Sequence, residues 1–432
     1  MIFVQADVVI VGAGSGGATL AKELSEKGKK VILIDKGSVP EQKGTHGAAA
    51  SYYEPCISKE GLVIDRALVV GGSTQVSVGN GVRALEKELH SFGIDLNEEF
   101  REAEKELNVA HLEDRLVGRG TKRLMDASRE LGYNMKLMPK FIDPRQCTSC
   151  GRCSLGCPLE AKWTAQRYVN QAIEHGAKLI TNMTVTRAIT SNGVVKGVRG
   201  IGPAGEQFIK AQSFVVLSAG GIGTPIILQK SGIKAGEGLF VDAYASTYGV
   251  TTDVGMVGEI SMAALIDQFY ETKGFILSPH TSFAGLDFSL DLTNVFRLPR
   301  KLLLFLLRKH VLGIMTKIRD ECTGKVHENG KIEKTISSVD ADKLDEGTSI
   351  AKKILVEAGA NPRLVWVTKP SGAHPGGTAS IGNVVDTNQE TEVQGLFVSD
   401  ASVLPTSPGL PLILTIVALS KRLAKKLVQE YT

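Results

Sequence analysis

No apolar run in the 432-residue chain reaches the roughly 18 residues that a bilayer-spanning helix needs. The first residues show no basic leader and no apolar segment followed by a small-residue cleavage site, so no secretory signal is expected and the protein is placed in the cytoplasm. Charge of one sign is also scarce. Fifty Lys and Arg face 46 Asp and Glu, and a net charge of +4 is too small for the basic stripe of a nucleic-acid binder. Internal repeats, low-complexity tracts and long linkers are missing as well. Cysteine is rare, six residues in all, yet four of them fall within 147–157. Such crowding in a reducing compartment points to metal binding rather than to a disulfide framework.

Glycine is abundant, with 47 residues, so tight turns and close backbone approaches are expected. A hydrophobic share of 43% and a charged share of 22% fit a globular protein and exclude a disordered, collagen-like or coiled-coil chain. The length suggests about three structural units at roughly 150 residues each.

Residues 7–11, DVVIV, read as a strand buried on both faces. Gly12, Gly14 and Gly17 follow in the spacing GxGxxG, then a helical pattern, then VILID ending at Asp35, 18 residues after Gly17. The first glycine permits the tight turn, the second lets a pyrophosphate approach the backbone, and the third lets helix and strand pack closely. The helix N-terminus then faces the phosphates, and Asp35 accepts from a ribose hydroxyl. This unit predicts dinucleotide binding. A free-standing NAD domain would continue as alternating strands and helices. Here residues 38–80 are instead turn-rich and lead to a second glycine cluster, Gly71, Gly72 and Ser73. The next strand-like unit, 177–189, holds Val185 and comes much later. That interrupted layout predicts FAD, in a domain assembled from separated segments.

Four segments together resemble the glucose–methanol–choline (GMC) oxidoreductase family: the fingerprint above, VGGST at 70–74 with Arg83 downstream, SFVVLSAGGIGTPIILQKSGI at 213–233, and the C-terminal stretch 373–420. In the third, Gly220, Thr224, Pro225, Ser231 and Gly232 match the family pattern, whereas Gly221 and Lys234 depart from it. The resemblance implies an α/β fold: a discontinuous Rossmann-like FAD-binding domain (1–95, 160–235, 370–432), a smaller α+β substrate domain (236–369) and an insertion (96–159). It also implies that Gly71, Gly72, Ser73, Val185, Gly220, Asp400 and Ala401 lie at the cofactor. The N-terminus of the last helix is expected to face the flavin. His374, in HPGGT, matches the family's active-site histidine, which takes or positions the proton of a substrate hydroxyl. The other seven histidines read as surface or structural. One position departs: relatives usually place a His or Asn just before the last helix, and here SPGLPL puts Pro411 there, with no side-chain donor or acceptor.

Residues 147–158, CTSCGRCSLGCP, have the spacing C-x2-C-x2-C-x3-C-P that ferredoxins use to hold iron–sulfur clusters. Cys147, Cys150, Cys153 and Cys157 are the expected thiolate ligands, most simply of a [4Fe-4S] cluster. Zinc, which prefers two separated cysteine pairs, is the runner-up, and a plain disulfide is the third alternative. Cys157 closes the same cluster, or Cys56 or Cys322 supplies the fourth thiolate, or three thiolates hold three irons. Some GMC members resemble this chain in carrying a cysteine-rich insertion with an iron–sulfur centre near the flavin. The expected electron acceptor is accordingly a redox partner protein rather than oxygen.

Residues 297–312 pair an apolar run with flanking Arg and Lys. A buried helix with snorkelling basic ends is preferred there over a helix on a membrane surface or one admitting an apolar substrate. Residues 340–360 read as a solvent-faced amphipathic helix. The expected function is an FAD-dependent dehydrogenase that oxidises a small-molecule hydroxyl to a carbonyl. The competing readings are a flavin and iron–sulfur reductase of a carbonyl or activated double bond, and an electron-transfer subunit without its own substrate.

Overall fold

The computed structural model describes residues 4–281 and 308–431. The opening apolar run is strand β1 (Val4–Val11), with Val8, Val9 and Ile10 wholly buried. It lies between two parallel neighbours, β2 (Val31–Ile34) and the long strand Gly205–Leu217. Lys178–Ile180 extends the sheet beyond β2, and Leu396–Val398 lies parallel to the end of the long strand. The start of that long strand turns instead into an antiparallel meander with Val194–Gly202 and Thr184–Ser191, completing seven strands. Helix α1 (Ser15–Glu26) buries Ala18, Leu20, Ala21 and Leu24 and packs against the terminal helix Ile413–Glu430. Lys421, buried on the terminal helix, is held by Glu23 of α1 at 2.5 Å and by Glu106 at 2.6 Å.

A second seven-stranded sheet has the order Phe275–Pro279, Val311–Ile318, Ala243–Val250, Ser371–Gly372, Val63–Ile64, Cys56–Ile57, with Val365–Val367 also paired to Ala243–Val250. Its short strands at 56–64 and 371–372 come from stretches expected with the first unit, and they join the two units side by side. Alternation along Val311–Ile318 decides what this sheet presents on each face. Leu312, Ile314 and Ile318 pack in the cluster beneath helix Ser338–Glu357, and Thr316 crowds Gly347 of that helix. Met315 and Lys317 face the opposite way, into a cavity between the sheets. The amphipathic stretch 340–360 thus lies in that covering helix, burying Leu344, Ile350, Ala351, Ile354 and Leu355 against the sheet.

The segment 96–159 holds helices Asn97–Glu106 and Arg119–Glu130 ahead of the cysteine loop. Of the stretch 297–312, residues 297–307 lie outside the described residues, and 308–312 pass through a short turn into the strand Val311–Ile318. Among the described residues no helix is long and apolar enough to cross a membrane.

Candidate active site

A cavity of about 950 Å³ runs between the two sheets. One end is made of glycine turns. Gly12 closes the turn after β1 with φ +101°, and a Cβ there would sit 2.1 Å from Ser218 O. A Cβ on Gly17 would sit 1.9 Å from Gly12 O, so this glycine serves helix–strand contact. Gly14 is different: a Cβ there would meet nothing within 4 Å, and the open space is the cavity itself. As the N-cap of α1 it adds no side-chain bond, which leaves the helix's first N–H groups available to an anionic ligand. Asp35, at the end of β2, accepts from Ala13 N and Gly37 N, both at 2.7 Å, and burial pushes its carboxyl up to about 6. These features fit the diphosphate and ribose of FAD.

The second glycine cluster closes over the first. Gly71 N donates to Ala13 O at 3.0 Å, and a Cβ on Gly72 would lie 2.9 Å from Gly14 Cα. Gly72, Ser73, Val185, Gly220 and Ala401 line the cavity, whereas Gly17 packs against the backbone at Gly12 and Gly71 against the side chain of Gln75 behind it. Asp400 lines the cavity too, but its oxygens are taken up internally. Oδ2 accepts from Gly220 N (2.8 Å) and Thr224 Oγ1 (2.5 Å), and Oδ1 accepts from Ser402 N and Oγ. Asp400 therefore ties two loops of the cradle together. Arg83 likewise binds protein, in a two-pronged bond with Glu104 at 2.6 and 2.8 Å. The first turn of the terminal helix, at Leu412, Ile413 and Ile416, meets the cavity as well.

His374 lies at the other end. Its backbone N and that of Ala373 both donate to Val241 O, fixing the loop after Ser371–Gly372. Its Nδ1 lies 2.8 Å from Asp242 Oδ2 and 2.9 Å from Lys317 Nζ, and Lys317 Nζ lies 3.6 Å from the same carboxylate oxygen. Asp242 is wholly buried, and its Oδ1 accepts from Ser407 Oγ (2.7 Å) and Gly409 N (2.8 Å). Lys317 and His374 hold its carboxyl below the usual range despite burial. Burial, then Lys317, lowers the imidazole pKa, against the opposing pull of Asp242. Pro411 borders the same space and brings no polar side chain.

Sequence reasoning missed Asp242 and Lys317. Nothing local marks Asp242, while a lysine inside the apolar strand VLGIMTKI was a usable signal. His280, among the histidines expected to be surface or structural, is buried and hydrogen-bonded at the cavity. It lines the cavity, its Nδ1 is bonded to Ser246 and Tyr248, and burial pushes it down to about 4, so it is neutral near pH 7. Met262, Met315 and Tyr244 complete a mostly apolar wall.

The cysteine loop adjoins this cavity. Ser149 and Cys157 take left-handed conformations (φ +54° and +49°) that fold it back on itself, and Ser154 and Leu155 line the cavity. All six cysteines are free thiols. Cys147, Cys153 and Cys157 are buried in one cluster; Cys147 lies within electrostatic reach of Cys157 and Cys150, and Cys153 of Cys157 and Cys147. Cys56 and Cys322 are not among these neighbours. Backbone N–H groups of Ser149 and Lys162 point at Cys147 Sγ and Cys157 Sγ, each at 3.4 Å. Among the described residues, no three or more His, Cys, Asp or Glu side chains gather so as to hold a metal ion.

Two buried lysines flank the loop. Lys162 Nζ donates to the carbonyls of Thr74, Gln75, Ser77 and Cys153, and Lys140 Nζ to those of Val78 and Ser261. Burial drives Lys140 down to about 7, Lys162 to about 8, and the Cys153 thiol up to about 11.

With this geometry in place, comparison decides the family. Residues 6–258 match the N-terminal GMC oxidoreductase family model and residues 335–420 the C-terminal one. The chain belongs to the GMC oxidoreductase family. It is 32% identical to an uncharacterized protein of Methanocaldococcus jannaschii, over 98% of this chain and all of that one. It is 24% identical to a long-chain-alcohol oxidase of Arabidopsis thaliana, over 99% of this chain and 69% of that one. Its fold is similar to that of pyridoxine 4-oxidase from Mesorbium loti, with a TM-score of 0.74, 16% identity, and coverage of 97% and 98% of the two chains. The GMC fold, the FAD-binding domain and membership of a family of FAD oxidoreductases follow.

Proposed function

We propose that this GMC protein is a dehydrogenase that oxidises an apolar alcohol to a carbonyl compound. The observation that carries the reading is the Asp242–His374 pair at the apolar end of the cavity whose other end fits FAD. Asp242 is ionised and can only accept; in this reading its 2.8 Å contact, rather than the 2.9 Å contact with Lys317, sets the tautomer, with the proton on His374 Nδ1 and Nε2 as the basic nitrogen. Among the described residues no protein hydrogen bond engages Nε2. It takes the hydroxyl proton of a substrate lying in the cavity, and Asp242 stabilises the imidazolium that results. When bound, FAD supplies the acceptor for the hydride that leaves the carbinol carbon. Met262, Met315 and Tyr244 exclude water and favour an apolar substrate body.

Cys147, Cys150, Cys153 and Cys157 would be the thiolates of an iron–sulfur centre, which would offer a one-electron route to a protein carrier, although among the described residues their side chains are not gathered around a metal position in this structure. Three observations support this. The loop borders the FAD cavity at Ser154 and Leu155. Two N–H groups already point at its sulfurs. Lys140 and Lys162 bring two buried amines that have no carboxylate partner among the described residues, and such a pair suits an anionic, thiolate-bound group. The long-chain-alcohol oxidase relative favours a second reading, in which oxygen is the acceptor.

The test is an anaerobic preparation analysed for FAD, iron and acid-labile sulfide, followed by mixing with a series of primary alcohols. Bleaching of the flavin, with iron and sulfide present and re-oxidation by a one-electron dye faster than by oxygen, is the expected outcome. A preparation without FAD overturns the whole reading. One with FAD but no iron, re-oxidised rapidly by oxygen, leaves the oxidase.

A further inference from the structure

We propose that Lys317 is the second group on the substrate oxygen, doing from the sheet what no side chain at Pro411 can do. The inference rests on the dehydrogenase reading above and adds a residue to it.

The argument is one of hydrogen-bond placement. Asp242 Oδ2 accepts from His374 Nδ1–H at 2.8 Å. Lys317 Nζ, 2.9 Å from the same nitrogen, therefore faces a donor and cannot bond to it. Its nearest carboxylate oxygen is Asp242 Oδ2, at the long distance of 3.6 Å, and the charges of Asp242, Asp320 and Asp65 oppose the lowering of its pKa by burial. An ammonium has three N–H groups, and among the described residues this one has no other hydrogen-bond partner. Lys317 is only 2% exposed, so bulk water does not satisfy it, and alternation along Val311–Ile318 aims it into the cavity beside His374. The space bounded by Nζ, by the His374 ring and by Pro411 thus calls for an oxygen that donates to the imidazole and accepts from the ammonium. A hydroxyl passing toward an alkoxide meets both demands.

In the balanced step the O–H proton goes to His374 Nε2. The carbinol hydrogen leaves with its electron pair to the oxidised cofactor, and the C=O bond forms. Lys317 keeps its protons throughout and stabilises the charge that grows on oxygen.

The test uses FAD-loaded protein and trifluoroethanol, an acidic alcohol, titrated while the visible flavin spectrum is followed. Lys317→Met is expected to weaken its binding at least tenfold and to slow anaerobic flavin reduction by an active alcohol about 10²-fold or more. Pro411→Asn added to K317M should recover much of both losses, because it returns a polar side chain to the position beside the oxygen. If K317M fails to retain FAD, Lys317→Leu, equally unable to donate a hydrogen bond, is read in the same way. Wild-type binding and reduction rate in the variant overturn the proposal, and so does a double variant with no recovery. If no alcohol reduces the wild-type flavin, the dehydrogenase reading fails, while the trifluoroethanol comparison still decides the role of Lys317.

Discussion

The two ends of the cavity are built by different means. The cofactor end is backbone: Gly12, Gly14 and Gly17 follow one another within a single strand–turn–helix, and the side-chain atoms that matter there are few. The substrate end is side chain: Asp242, Lys317 and His374 come from three segments spread over more than a hundred residues and meet because strands of one sheet stand side by side. Backbone sites tolerate no added atom where chain meets chain. Side-chain sites tolerate substitution structurally and lose chemistry instead.

The sharpest way to break this contrast is at Gly12 and Gly14. Gly12→Val forces a side chain onto Ser218 O in a left-handed turn, and should cost several kcal/mol, read as loss of soluble, FAD-containing protein. Gly14→Ala points into open space, so the protein should keep its melting temperature and lose only FAD affinity, measured by flavin release on dilution. At the other end, His374→Asn should retain FAD and slow anaerobic flavin reduction by about 10²–10⁴-fold. A pH series sharpens the same point. Burial and Lys317 lower the imidazole pKa, so the basic form persists below the usual 6.5, and the rate should rise with pH through a midpoint lower than that value. Asp242→Asn removes the group that raises this pKa and should move the acid limb to still lower pH, together with a slower rate. The smallest structural effect is expected for Cys150→Ser. Its side chain is half-buried, so the apoprotein's melting temperature should barely move, while bound iron per flavin falls.

The same contrast explains what could be read in the sequence. Gly12, Gly14, Gly17 and Asp35 form one local unit with a fixed period, so their joint purpose was visible in residues 7–35. His374 was visible only through its HPGGT setting. Asp242 carried no local sign, because its meaning depends on Val241 O receiving the backbone N–H of His374. Asp400 was placed at the cavity, but its bonds to Gly220 and Thr224 come from a loop 180 and 176 residues away in sequence. The membership of 56–64 in the second sheet was equally hidden, since two-residue strands leave no periodicity to detect.

The pairing of α1 with the terminal helix bears on how the protein matures. Glu23, made early by the ribosome, awaits Lys421, and the nucleotide cradle stays open on one side until Ala401 and Ile416 have emerged. Coenzyme capture is therefore expected only once the chain beyond residue 400 has folded back, and a nascent chain stalled short of residue 400 should carry no flavin.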